Sequence, residues 1–492
     1  MSRDAFPTRS VDRYVMAAGI VSGVLYAAVY ALQRAMSPLH AGGALRSLTV
    51  LYVAATVALF ACYAVVVSFA SRGRFRDRRA RMVTFAFPAL FSLALACGRP
   101  YLSTDAFTYV AQGHQVIAGH NPYTEPVRAL GGTPFGLDLD REGWPAVHDV
   151  SPYGPLWTEL EAAADLAAGD ILTSVLLIKL IVTAFSLGCA ALIWVILGCV
   201  RPRCQVLGTI LYLWNPVVVM EFAGEGHNDA LVVFLLLLSL YFLVRHKFDQ
   251  SVVVGGVGAL IKIVALVFVP LELVYAWRTH QRRTRMLGAL ALGGFAAAAI
   301  AVAVYTPVWA GRATFDGLRD HARPNLMSAS TPSVLYWYLM RSYSEDTSAR
   351  LVLLLMTTGF LAYTAVASLK VCNAATLLRA CGQVAIMYLV LAPGYWPWYA
   401  AMPIALLALA PTEGAIWSIL VVSFASRLAA PIDVLRVNGV MDWDQEMLVT
   451  TIIGVWSPAG IIAALAARRA WAAWNAKGST ISMWRTARPS YE

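Results

Sequence analysis

Apolar runs of roughly 20 residues, long enough to cross a bilayer, recur from Tyr14–Leu32 to Leu448–Ala467 with short polar segments between them. About twelve such spans are expected, plus one ambiguous segment at 252–277. The first run is long and is followed at once by another apolar run, so it reads as an uncleaved anchor and not as a signal peptide. Hydrophobic residues make up 59% of the 492 positions, charged residues 13%, and mean hydropathy is +0.64; soluble domains average about 25% charged. The predicted fold class is an all-α polytopic membrane protein. It forms a single transmembrane domain over 1–492, with a long extracytoplasmic loop at 98–170 and a short basic cytoplasmic tail at 468–492.

A net charge of +10 does not point to nucleic acid, because the basic residues cluster in short loops between apolar runs, as the positive-inside rule describes. Arg72, Arg74, Arg76, Arg78, Arg79 and Arg81 form the strongest cytoplasmic marker. Arg201 and Arg203, Arg245 and Lys247, Arg282, Arg283 and Arg285, and the tail with Arg468, Arg469, Lys477, Arg485 and Arg488 agree with it. The loop at 98–170 carries ten acidic residues, among them Asp105, Glu125, Asp149 and Glu161, against Arg99, Arg128 and Arg141, and belongs outside. The expected location is the cytoplasmic membrane. Seven scattered cysteines without CxxC spacing suggest neither a disulfide framework nor a zinc site.

Segment 252–277 is too short for two crossings at about 1.5 Å rise per residue. A single crossing would put Arg278–Arg285 on the acidic side. A short broken or re-entrant helical pair, interrupted near Gly255-Gly256 or around Lys262, satisfies both constraints. Lys262 then either lines an internal pocket or is accounted for by snorkelling to the interface or structural pairing.

Two polar constellations lie on the expected outer side. One is Ser103-Thr104-Asp105 with Tyr109, Gly113 and Gly119-His120-Asn121-Pro122-Tyr123; it sets the Asp105 carboxylate just beyond a hydrophobic span. The other is Glu221-Phe222-Ala223-Gly224-Glu225-Gly226-His227-Asn228-Asp229. Its glycines read as a helix stop and Asn228 or Asp229 as the next N-cap, which leaves Glu221, Glu225 and His227 unexplained. Asp105 itself could serve as a cap or loop hydrogen-bonder beside Thr104 and Thr108.

With Ser151-Pro152-Tyr153-Gly154-Pro155-Leu156, Asn215-Pro216, Lys262 followed by Pro270, and Pro397-Trp398-Tyr399, these pieces occur in the order found in one family. The chain resembles the GT-C superfamily of integral-membrane glycosyltransferases, and within it the bacterial polyprenol-phosphate-mannose-dependent mannosyltransferases. It departs from that pattern in carrying Glu225 where a neutral residue is expected, and in having two helices before the Asp105 loop. Sugar and acceptor therefore stay open, with glycolipid, glycan and protein acceptors all compatible.

The resemblance implies a GT-C type bundle that transfers a sugar, mannose first among candidates, from a polyprenyl-phosphate donor to an acceptor hydroxyl at the outer face of the membrane, with inversion. Such a displacement needs one base to take the acceptor proton, while a phosphate leaving group needs no acid. Asp105 is the expected base. Developing charge on the phosphate calls for cations and hydrogen-bond donors, for which His227, Lys262 and Arg323, the last followed by Pro324-Asn325, are the candidates; Asp229 and Glu221 join them as candidate donor phosphate or sugar-binding residues. Tyr109, Asn121, Tyr123, Tyr153, Trp398 and Tyr399 are candidate sugar or acceptor contacts, although aromatic residues also form interfacial belts. No cofactor is singled out beyond the polyprenyl-phosphate sugar as donor substrate, and a divalent cation on Asp105, Glu221, His227 and Asp229 is chemically possible. A lipid-linked-sugar flippase is the alternative, with Lys262 on its translocation path.

Overall fold

The structure, a computed structural model, describes residues 8–37, 44–75, 78–142, 150–324 and 329–486. Arg76, Asp149, Asn325 and Arg488 lie outside the described residues. Regular structure among the described residues is helical, and one isolated bridge joins Ala329 to Tyr395.

In chain order the helices that concern the site are α1 (Thr8–Met36), α2 (Leu45–Ser71), α3 (Arg78–Ala96), α4 (Asp105–Ile117), α5 (Pro155–Ala168), α6 (Ile171–Val200), α7 (Gln205–Leu213), α8 (Asp229–Val244), α9 (Phe248–Ala259), α10 (Val269–Thr279), α11 (Arg283–Tyr305), α12 (Glu345–Leu369), α13 (Ala374–Leu391), α14 (Ala401–Ala408), α15 (Glu413–Ala429) and α16 (Ser457–Thr486). Among the described residues, eight helical stretches are long and apolar enough to cross a membrane, or nine if one bent pair counts as a span. This makes the chain a multi-pass membrane protein, but the twelve spans expected from hydropathy are not reached. Three further apolar helices, Ala80–Ala96, Asp229–Val244 and Pro397–Ala408, have only 10–17 residues. The apolar runs are longer than the helices within them because Pro397, the Asn215-Pro216 pair and the turn before Lys262 interrupt the helical hydrogen bonding.

The bent pair is Pro202–Leu213 with Pro216–Gly224, at 49°. Pro216 has no N–H to continue α7, and the Asn215 side chain accepts from Val217 N at 3.0 Å, starting a new helix that widens into a π-helical turn over Val219–Gly224. Such turns add a residue and re-aim the side chains that follow. Here the re-aimed side chain is Glu221.

At 252–277 the chain rises along α9, turns at Leu260–Lys262, and descends through a 3₁₀ turn (Ile263–Phe268) into α10. Lys262 is extended, with φ −155° and ψ 125°. Gly255 and Gly256 lie within α9, so the break falls at the lysine. Arg278, at the far end of α10, donates to the carbonyls of Leu369 and Val371. α8 and α9, with 16 and 12 residues, are about 24 and 18 Å long, short of a hydrocarbon core of about 30 Å. Asp229 and Lys262 stand at their meeting ends.

The core lies around α6, α8, α14 and α15, where Trp157, Arg427, Tyr52, Tyr63, Tyr109 and Lys179 are among the largest fully buried side chains. α11 is peripheral: it meets α9 where Ala297 abuts Gly256, while Leu292, Phe295 and Val302 are exposed, as suits a helix facing lipid.

Candidate functional site

Asp105 opens α4. Its backbone N–H donates to Ser103 Oγ at 3.1 Å, and the Tyr109 hydroxyl, one turn on, donates to Asp105 Oδ2 at 3.2 Å. Its side chain is 20% exposed, open enough to meet a substrate. The N-cap residue is Thr104, without a side-chain capping bond, so Asp105 is not committed to capping.

The loop before Asp105 is held from below. Glu225 Oε2 accepts three consecutive backbone N–H groups, from Tyr101, Leu102 and Ser103, at 3.2, 3.0 and 3.1 Å. Glu225 is 2% exposed. Its neighbour Gly226 has φ +84°, a left-handed conformation where a Cβ would also come within 2.9 Å of Lys179 Cγ. Lys179, buried in α6, donates to the carbonyls of Leu95 and Gly98 at the end of α3. Glu225 thus anchors the loop carrying the expected base.

His227 is fully buried. Its Nδ1 lies 3.0 Å from the Glu221 carbonyl and 3.3 Å from Glu221 Oε2; its Nε2 lies 3.1 Å from Ser103 Oγ and 3.9 Å from Asp105 Oδ2. One face of the ring stacks on Trp398, with centroids 3.8 Å apart and planes at 17°. Trp398 in turn stacks on Trp396 at 5.3 Å. Glu221 Oε1 accepts from Arg427 Nη1, and Arg427 Nη2 donates to the Tyr52 hydroxyl.

Asp229, the first residue of α8, receives Lys262 Nζ on both carboxylate oxygens, at 3.1 and 3.0 Å. The neighbouring Asn228 side chain makes no capping bond. Lys262 Nζ also lies over the Tyr399 ring at 4.8 Å and the Tyr153 ring at 5.9 Å. Tyr153 meets Tyr109 edge-on at 5.4 Å, which links the lysine to the tyrosine that holds Asp105. The pair opens into a small cleft lined by Asp229, Lys262, Tyr388 and Tyr399 and by the apolar Val232, Val233, Val264 and Met402.

The Ser151–Pro155 motif docks on the turn that carries Lys262. Gly154 N donates to Ile261 O at 2.9 Å and Leu156 N to Leu260 O at 3.2 Å. A Cβ on Gly154 would sit 2.1 Å from Leu260 O, so no other residue fits without moving the turn.

The remaining expected residues lie elsewhere. Asn121 donates to Val308 O and accepts from Tyr123 N. Tyr123 is 2% exposed, with its hydroxyl 3.0 Å from Thr158 Oγ1. Arg323 pairs with Asp346 at an exposed surface, 2.9 Å apart. Among the described residues no group of three or more His, Cys, Asp or Glu side chains could hold a metal ion. The four proposed ligands do not fit one, since Glu221 is paired to Arg427 and Asp229 to Lys262.

Sequence reasoning missed Arg427 and Lys179. Both are lone charges within apolar helices, and an ionisable residue at membrane depth is itself a signal of function.

Residues 12–279 match the family described as alpha-(1->6)-mannopyranosyltransferase, N-terminal domain. Alpha-(1->6)-mannopyranosyltransferase A of Mycobacterium tuberculosis is 28% identical over 241 residues, covering 47% of this chain and 43% of that protein. Its namesake from Corynebacterium glutamicum is 28% identical over 183 residues, covering 35% and 34%. The matched stretches span less than half of each relative's length. The family match takes in Asp105, Glu221, Glu225, His227, Asp229 and Lys262 and ends before Trp398 and Arg427. With more than half of its 492 residues inside that match, the chain belongs to the alpha-(1->6)-mannopyranosyltransferase N-terminal domain family.

Proposed function

We propose that the protein is a membrane mannosyltransferase that moves mannose from a polyprenyl-phosphate carrier to an acceptor hydroxyl at the outer face of the cytoplasmic membrane, with inversion. The observation that carries this reading is that Asp105, partly exposed and held by Tyr109, is linked through Tyr109 and Tyr153 to the Lys262–Asp229 pair, which heads an apolar cleft.

The acceptor oxygen attacks the anomeric carbon while the bond from that carbon to the phosphate oxygen breaks. Asp105 takes the acceptor proton, and the electron pair leaves with the phosphate. Lys262 meets the developing phosphate charge, and Asp229 orients it until substrate arrives. Val232, Val233, Val264 and Met402 suit the first isoprene units of the carrier. Tyr153 and Tyr399, whose rings flank Lys262, are the favoured sugar contacts. The names of the relatives and the family membership support mannose and an α-(1→6) linkage. The arginine-rich loops support an outward-facing site.

The test is transfer by the purified full chain from polyprenyl-phosphate mannose to membrane-extracted acceptors, with the anomeric configuration of the product read by NMR. A product inverted relative to the donor is expected. Retention of configuration would overturn the single-base mechanism, and vesicle translocation of the donor without transfer would favour the flippase.

A further inference from the structure

Arg427 is a cation in the last turn of the apolar helix α15, fully buried and 206 residues from its carboxylate partner Glu221. Nothing in the proposed reaction uses it directly: its two terminal nitrogens are taken by Glu221 and the Tyr52 hydroxyl. What it touches is the start of a line of charges that ends at the base. From Arg427 the line passes to Glu221, from Glu221 Oε2 to His227 Nδ1, and from His227 Nε2 to Ser103 Oγ and Asp105 Oδ2. His227 cannot turn away, since both nitrogens are engaged and its ring lies against Trp398. Buried charges persist where they are paired. Around this loop the carboxylates of Glu221, Glu225 and Asp105 meet the cations Arg427 and Lys179, and His227 supplies the third when both of its nitrogens carry a proton.

We propose that Arg427 is a positioning residue: by fixing Glu221 it holds His227 between Glu221 and Ser103, and His227 in turn sets the place of the Asp105 carboxylate. This rests on the reading of Asp105 as the base. It also assigns Glu221 and His227 to the support of that base, which leaves the donor phosphate to Lys262. The arginine's fork reaches two partners at once, whereas a lysine is a point charge that serves one direction less well.

The test uses the purified full chain, with polyprenyl-phosphate mannose as the varied substrate, and compares wild type, Arg427→Lys, the double variant Glu221→Gln/Arg427→Met, and Asp105→Asn. The double variant removes both charges together, so no unpaired ion is left buried and folding is retained. Its kcat should fall about 100-fold, as expected for a misplaced catalytic group, with donor KM within about three-fold of wild type. Arg427→Lys should fall about ten-fold in kcat, again with KM kept. A merely structural role would lower the yield of folded protein and leave kcat per folded molecule intact. A wild-type kcat in either Arg427 variant, or a raised donor KM with kcat intact, would overturn the proposal. Asp105→Asn separates the two readings: if it is inactive while the Arg427 variants are normal, only the relay fails; if it is fully active, the base assignment fails first.

Discussion

Gly154→Ala puts the coupling between the Ser151–Pro155 loop and the lysine turn under direct test. Gly154 has φ −78° and ψ 156°, which alanine adopts freely, so the substitution acts through its Cβ alone. That atom would lie 2.1, 2.4 and 2.9 Å from the O, C and Cα of Leu260, where real Cβ contacts essentially never fall below 3.0 Å. All three obstacles are backbone, so the loop and the turn must separate by about 1 Å, straining the bonds from Gly154 N to Ile261 O and from Leu156 N to Leu260 O. Overpacking of this kind costs about 1–3 kcal/mol in stability. A 1 Å displacement of a positioned group costs about 100-fold in rate. Because Lys262 lies two residues beyond Leu260, the loss should show as a raised KM for polyprenyl-phosphate mannose, with kcat/KM down about 100-fold. Steady-state transfer kinetics on the purified variant, beside a thermal melt in detergent, read both numbers. Gly288→Ala, inside α11 with nothing within 4 Å, is the control and should match wild type in kcat/KM and melt no lower than it. A folded Gly154→Ala enzyme with wild-type kcat/KM would refute the coupling.

Three further outcomes follow from the contacts described. Lys262→Met should raise donor KM about 10- to 100-fold, the value of one hydrogen bond from a charged donor to phosphate, measured in the same transfer assay. Glu225→Gln leaves one neutral oxygen for three N–H donors and should lower stability by about 2–4 kcal/mol, read as a fall in the melting midpoint. Asp170 caps α6 by accepting from Thr173 N at 3.0 Å, and Asp170→Ala should cost about 1 kcal/mol with transfer unaffected. The Thr173 side chain and backbone N–H hold the Asp170 carboxyl below the usual carboxylate range. A lowered value contributes stability above the unfolded pKa that is lost as pH falls through the folded one, so the difference between wild type and Asp170→Ala should shrink below about pH 4.

Hydropathy made the fold class legible because lipid-facing surface must be apolar along nearly its whole length, as α11 illustrates. It does not show where a helix stops inside an apolar run: Asn215-Pro216 bends the chain by 49°, and the turn before Lys262 brings His280 back against Phe248. The length of 252–277 was informative where composition was not, since too few residues for two crossings forced a break. For the site, Asp105, His227, Asp229 and Lys262 stood out as polar residues in an apolar sequence. Their pairings did not: sequence spacing could not join Asp229 to Lys262, 33 residues apart, or Glu221 to Arg427, 206 apart. Asn121 and Tyr123 show the reverse. Their motif is conspicuous, yet the structure uses it to fasten the loop, through Val308 O and Thr158 Oγ1.

The central claim is that Asp105 takes the acceptor proton in mannosyl transfer. The most direct measurement is kcat for transfer of labelled mannose from a short-chain polyprenyl-phosphate donor by wild type and Asp105→Asn, with folding matched by melting midpoint. The account predicts transfer by wild type and a fall of about a thousandfold or more in the variant, which keeps the shape of the side chain and an oxygen for the Tyr109 hydroxyl but loses the proton acceptor. Equal kcat in the two proteins would contradict it.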